Sequence, residues 1–285
     1  MTEYEIDWGV DAKRLAGIAQ DDAGWYASMA ATLARPGDRL AVDIGCGGAG
    51  MALALAAALP AEARVVALDG TESVLAAARA AAGAAGTRVE FVLADLAEPG
   101  RFPALLGGAA DLVWASASVH HAPDQQAAVS GLAALLAPGG RLALSEGGLR
   151  PRHLPWDVGV GTPGLEIRLD AAQDRWFAGM RAALPGTVPM PYGWAEALRR
   201  AGLAAPTTRS TLLEQPTPLT PDAVTQVLAG LRWRVDRLRS ADLLDPADTA
   251  TWDQLLDPDA PTFLGHRPDL YHLEARSVHV AHRPT

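Results

Sequence analysis

Cysteine, lysine and long apolar runs are scarce in this sequence, and each shortage closes off a class of protein. The 285 residues include one cysteine, Cys46, so no intramolecular disulfide framework staples the chain. Lysine occurs once, at Lys13, and 24 basic against 33 acidic residues leave a net charge of −9. No basic cluster offsets that balance, which argues against a surface that grips nucleic-acid phosphates. Nowhere do about 18 apolar residues run together, so no membrane span is expected. The opening stretch MTEYEIDWGVDAKR is acidic and lacks an apolar signal core, which makes a cytoplasmic protein the expectation. Cys/His clusters with metal-binding spacing are missing as well, and no metal is expected.

What is present is apolar mass and rhythm. Hydrophobic residues make up 49% of the chain, enough for a sizeable core, and the length suits one domain with insertions. Helical patterning over residues 10–35 stops at the breaker cluster Arg35-Pro36-Gly37-Asp38. Short apolar runs then alternate with alanine-rich helical stretches, giving strands at 39–44, 64–69, 89–95, 110–114 and 141–145. Thr71 is expected to cap the helix after the second strand, with Glu72 in its first turn. Strands alternating with helices imply an open parallel sheet covered on both faces. Beyond Gly148 the pattern loosens through residues 150–191. A helix at 193–202 and a strand near 207–214 resume it, residues 219–257 read as two or three helices, and an alternating strand closes the chain at 271–281.

The stretch VDIGCGGAG, Val42 to Gly50, contains G-x-G-x-x-G at Gly45, Gly47 and Gly50. In such sheets ligands bind beyond the carboxyl ends of the strands, and glycine lets the backbone approach them closely. Asp69 ends the second strand, placed to accept hydrogen bonds from ribose hydroxyls. A nicotinamide enzyme and an S-adenosylmethionine (SAM) enzyme both predict this much. Three features favour SAM. An anion at Asp43 would repel a pyrophosphate on the loop but suits a sulfonium and an ammonium. Asp95-Leu96 presents an acid and an apolar contact to an adenine, and the turn LLAPGGR precedes the fifth strand.

Taken in order, DIGCG, LDG, ADLAE, DLVWASASVHH and LLAPGGRLAL resemble the class I SAM-dependent methyltransferases. The likeness is strong over residues 38–148 and weak over 193–215 and 271–281. One departure is Ala49, where such loops usually carry a third glycine. The resemblance implies a three-layer, doubly wound α/β fold whose seven-stranded mixed sheet has its last strand antiparallel, with helical cap insertions. Along the chain it implies an N-terminal helical lid (1–37), a SAM-binding Rossmann-like core (38–149) and a cap insertion (150–192). A core helix with strand six (193–218), a second cap insertion (219–265) and strand seven (266–285) follow. Asp43, Gly45, Cys46, Gly47, Asp69, Gly70, Asp95, Leu96 and Ser116 are the expected SAM contacts, with Cys46 read as a small buried filler.

Methyl transfer needs alignment and dryness more than a nucleophile, and a base only where the acceptor must lose a proton. His120 and His121, after strand four, are the candidate bases, since histidine titrates near neutrality. Trp156, Trp176 and Trp233 are candidate contacts for an aromatic acceptor, though such rings more often build a cap core. His153 reads as a solvated loop residue. Arg232, Arg234, Arg237 and Arg239 read as a salt-bridged helix face, with a clamp on an acceptor carboxylate or phosphate as the alternative. Trp25 and Tyr26 read as helix packing, with a lid over the cofactor as the alternative.

The expected activity is methylation of a small-molecule acceptor in specialised metabolism, oxygen ahead of nitrogen or carbon. Its rivals are a NAD(P)-dependent oxidoreductase and a SAM-binding protein without catalysis. A homodimer is one assembly the sequence allows.

Overall fold

The computed structural model describes Tyr4, residues 6–96 and residues 98–285. Residues 1–3 and 5 of the N-terminal segment and Ala97 of the ADLAE motif lie outside the described residues. The chain forms two compact units. The larger holds residues 6–147, 186–209 and 277–285, and the smaller holds Tyr4 with residues 148–185 and 210–276. Among the described residues, no helix is long and apolar enough to cross a membrane.

The larger unit is organised by β1 (Leu40–Ile44), whose five residues are all buried. Parallel neighbours flank it, β2 (Arg64–Asp69) and β4 (Ala110–Ser116), with Val42 opposite both Val66 and Val113. Buried on both faces, these strands read as continuous apolar runs with no polar alternation. With β3 (Glu90–Leu93), β5 (Leu136–Arg152), β6 (Ala204–Gln215) and β7 (His272–His282), the seven-stranded sheet has the order β3-β2-β1-β4-β5-β7-β6. Strand β7 is antiparallel to both neighbours and the other pairings are parallel. The strand order reverses between β1 and β4. That reversal opens a crevice beyond their carboxyl ends.

Helices α1 (Trp8–Asp21) and α2 (Ala23–Leu33) precede the sheet, and α3 (Gly50–Ala58), α4 (Glu72–Ala85), α5 (Phe102–Leu106) and α6 (Gln125–Ala134) connect its strands. Thr71 stands at the N-cap of α4, but its side chain makes no capping bond. Instead its backbone N–H donates to Asp69 Oδ1 at 3.0 Å. At the end of the sheet away from the crevice, the breaker cluster is tied down by Arg141, which is 2% exposed. Its Nη1 donates to Asp38 Oδ1 at 2.9 Å and to the Asp111 carbonyl at 3.1 Å. The buried charge is tolerated there because the guanidinium has both a carboxylate and carbonyls as acceptors.

The smaller unit holds α7 (Leu165–Ala183), α9 (Pro221–Ser240) and α10 (Pro246–Leu256); α8 (Trp194–Arg200) belongs to the larger one. Within residues 150–191, where the sequence pattern loosens, α7 runs for 19 residues. Leu165, Leu169, Ala172, Trp176 and Met180 form its buried stripe, a spacing of three and four that places them on one face.

Candidate active site

The glycine loop joins β1 to α3 at the crevice. Gly45 and Gly47 adopt φ of +63° and +52°, a region that costs other residues strain. A Cβ on Gly45 would stand 2.7 Å from the Ser118 Cβ, so the loop lies directly against the turn after β4. A Cβ on Gly47 would meet nothing within 4 Å, which marks it as the open side of the loop. Gly48 and Gly50 are crowded for another reason. A Cβ on Gly48 would lie 2.5 Å from the Leu15 carbonyl of α1, and one on Gly50 would lie 2.5 Å from the Tyr26 ring of α2. Ala49, at the family's missing glycine, takes φ of +63° and is fully buried. The loop therefore keeps a left-handed turn there without glycine.

Two carboxylates close the first two strands. Asp43 is 3% exposed, and its Oδ2 accepts the Ala52 N–H of α3 at 3.0 Å. Burial pushes its carboxyl up to about 7 from its ordinary 3.8, because a desolvated charge is disfavoured. Asp69 accepts the Gly47 N–H at 3.1 Å through Oδ2 and the Thr71 N–H through Oδ1, and burial raises it too. Among the described residues, both acids are held by backbone N–H groups and neither forms an ion pair with a basic side chain. Two partly desolvated acids without a cation, beside an open glycine, fit a ligand that brings positive charge. A diphosphate does not fit. The Asp69 bond to Gly47 also shows the acid shaping the loop. Asp69→Ala should weaken SAM binding by about a hundredfold in calorimetry while the fold is retained, since charged hydrogen bonds contribute about 1.5–3 kcal/mol each. Unchanged affinity would remove the ribose assignment.

Cys46 is buried, its N–H donates to the Leu68 carbonyl at 2.9 Å, and burial pushes its thiol well above the usual range. It fills space, and its thiolate is suppressed. Gly70 has room around it, with no atom nearer than 3.9 Å to a Cβ placed there. Asp95 is exposed just past β3, Leu96 packs against the main core, and Ser116 ends β4 opposite Ser145 of β5.

The turn after β4 carries a residue that the sequence reading missed. Glu146, near the point where β5 leaves the larger unit, is 3% exposed. Its Oε1 accepts the backbone N–H groups of Ser118 at 3.0 Å and Val119 at 2.8 Å. Its Oε2 lies 2.7 Å from His120 Nδ1. Ala117, with φ of +47°, bends the chain between β4 and this turn. One buried carboxylate thus fixes the backbone and aims the imidazole. His121 is placed otherwise, its ring edge-on to Trp8 at 5.1 Å between centroids. Trp25 is buried 5.9 Å from the Trp114 ring, which is helix packing.

In the smaller unit, Trp156 is 68% exposed and Trp176 only 3%. The Arg237 guanidinium lies 4.7 Å from the Trp176 ring centroid and 3.7 Å from that of Trp233. Trp176 and Trp233 therefore hold a cation between helices, a use of aromatic faces that stabilises packing. His153 corrects an expectation. It is buried, not solvated, with Nδ1 3.2 Å from the Tyr271 carbonyl, and burial pulls it down to about 4.

Residues 41–140 match the family model described as a methyltransferase domain, and the chain carries a class I SAM-dependent methyltransferase domain. Trans-aconitate 2-methyltransferase of Methylobacterium radiotolerans is 35% identical over 144 residues, 46% of this chain and 51% of that protein. The 27-O-demethylrifamycin SV methyltransferase of Amycolatopsis mediterranei is 37% identical over 112 residues, 39% of each chain. This chain thus spans about half, or less, of the curated relatives it matches. A candidate methyltransferase from Bacillus halodurans C-125 shares the fold with a TM-score of 0.51 at 18% identity, covering 93% of this chain and all of that one. The YcgJ protein of Bacillus subtilis does so at 0.51 and 17%, covering 91% and 98%.

Proposed function

We propose that this protein transfers the methyl group of SAM to a hydroxyl oxygen of a small-molecule acceptor in specialised metabolism. The observation that carries the oxygen assignment is the 2.7 Å contact between His120 and the buried Glu146 carboxylate, beside the glycine loop. When bound, SAM supplies an electrophilic methyl group on a sulfonium. Asp69 and Asp43 hold and electrostatically favour that ligand, with Gly45 and Gly47 giving the backbone its close approach. Glu146 accepts the Nδ1–H of His120, which leaves the proton-accepting lone pair on Nε2. His120 is then the base. His120 Nε2 would take the proton that the acceptor hydroxyl gives up on methylation. His121, engaged with Trp8, is a bystander in this reading. Both curated relatives are named for small-molecule acceptors, which supports the acceptor class.

The test is a screen of hydroxyl, amine and activated-carbon acceptors with SAM, reading S-adenosylhomocysteine and the methylated position by mass spectrometry. A product methylated on oxygen is expected. Nitrogen or carbon methylation would overturn the assignment, and SAM binding without turnover on any acceptor would favour the non-catalytic rival.

A further inference from the structure

The sequence singles out an arginine-bearing helix that the methyl-transfer reading does not use. In the structure the four arginines of α9 part company. Arg232 donates to the Leu256 carbonyl, Arg239 pairs with Asp253, Arg237 stacks on tryptophans, and Arg234 turns inward to Asp170 of α7. Asp170 is shared. Its Oδ2 lies 2.8 Å from Arg152 Nη2, at the end of β5, while its Oδ1 takes Arg234 Nη2. One carboxylate therefore serves two guanidinium groups.

Each guanidinium has a second terminal nitrogen to satisfy. Arg152 Nη1 and Arg234 Nη1 are both closed off from solvent and have no acceptor. The other nearby acid does not supply one. Glu166, one turn before Asp170 on α7, spends its oxygens on the backbone N–H groups of His153 and Leu154 at 3.1 Å. Gln173, three residues beyond Asp170 and so on the same helix face, has a buried Oε1 that also lacks a partner. Buried donors are nearly always met in native proteins, and two unmet ones on guanidinium groups that share a single carboxylate mark a missing acceptor.

We propose that this cluster in the smaller unit is a recognition site for a carboxylate-bearing organic anion. The two unmet terminal nitrogens, one from each guanidinium, match the two oxygens of a planar carboxylate, the same kind of pairing that the Nη2 atoms make with Asp170. A phosphate would bring a further oxygen toward the Gln173 Oε1 and the Asp170 carboxylate, and it is the poorer fit. Arg152 is the member of the pair nearer the surface, its side chain 36% exposed against 13% for Arg234. The proposal stands without the methyl-transfer reading.

Succinate is the probe, with inorganic phosphate and chloride as controls at equal ionic strength, on the full chain by calorimetry and thermal unfolding. Succinate should bind saturably and raise the unfolding temperature, while phosphate and chloride do not. Arg152→Met should weaken succinate binding by about tenfold or more, with SAM affinity unchanged. Gln173→Glu places a carboxylate beside the unmet donors, and should raise the unfolding temperature alone and abolish the succinate response. Should Arg152→Met fail to fold, Arg152→Lys keeps the charge, loses the fork and serves the same comparison. No succinate binding to the wild type, an equal response to phosphate, or a response untouched by both Gln173→Glu and the Arg152 variant would overturn the proposal.

Discussion

Asp43→Asn will make the protein harder to unfold at pH 8 and poorer at binding its cofactor. The Asp43 carboxyl sits at about 7 in the folded chain against its ordinary 3.8. Its proton stabilises the folded form fully below 3.8, and that stabilisation is lost as pH rises through about 7. The displacement amounts to on the order of 4 kcal/mol at 1.36 kcal/mol per tenfold. Asparagine keeps an oxygen for the Ala52 N–H and carries no charge to desolvate. The variant should therefore melt on the order of 10 °C above the wild type at pH 8, with the two curves converging near pH 4. Cofactor binding should move the other way. A sulfonium and an ammonium favour the ionised acid, so wild-type SAM affinity should rise from pH 5 to pH 8 as Asp43 gives up its proton on binding. In Asp43→Asn that pH dependence should flatten, with affinity at pH 8 about tenfold weaker. Equal melting of the two proteins at pH 8 would show that the buried carboxyl costs nothing there.

The second large effect belongs to Glu146 and His120. His120→Ala should lower turnover by 10²–10⁴-fold, the usual range for a positioned base, while His121→Ala stays near wild type. Glu146→Gln is the more searching change. Its amide oxygen still accepts from Ser118 and Val119, so the turn holds. Its NH₂ now faces Nδ1 of His120 and drives the ring proton to Nε2, the nitrogen proposed to receive one. Turnover should fall on the order of a hundredfold with the acceptor KM and SAM affinity changed less than about threefold. Nitrogen NMR of His120 should report the tautomer switch even before an acceptor is known. Full turnover with a switched tautomer would reduce Glu146 to a structural tie.

The sheet was legible because its strands are short, apolar and set off by breakers. LAVDI and RVVALD admit few other readings, and their terminal acids fall at the crevice once the strands are parallel. Glu146 was not legible. It lies in SEGG, which reads as a loop, and its partners at Ser118 to His120 are 26–28 residues away. Only the pairing of Ser116 with Ser145 brings them together. Helix α7 was hidden for a local reason, since prolines and glycines on both sides drew attention from its stripe. His153 misled through its neighbours: an Arg-Pro-rich stretch suggests solvent, whereas Glu166 draws the His153 backbone inward. The arginines of α9 look alike in sequence, and only tertiary contacts give each a different task.

The crowding at Gly48 links positions far apart in the chain. The Leu15 carbonyl and the Ala16 Cα of the α1 backbone lie where a Gly48 side chain would go, with the Ala19 methyl beside them. No side-chain change on the helix clears its own backbone, so a residue on the loop fixes how close α1 can lie. Position 48 should therefore stay glycine through descendants of this sequence. A library that varies the loop should leave it alone.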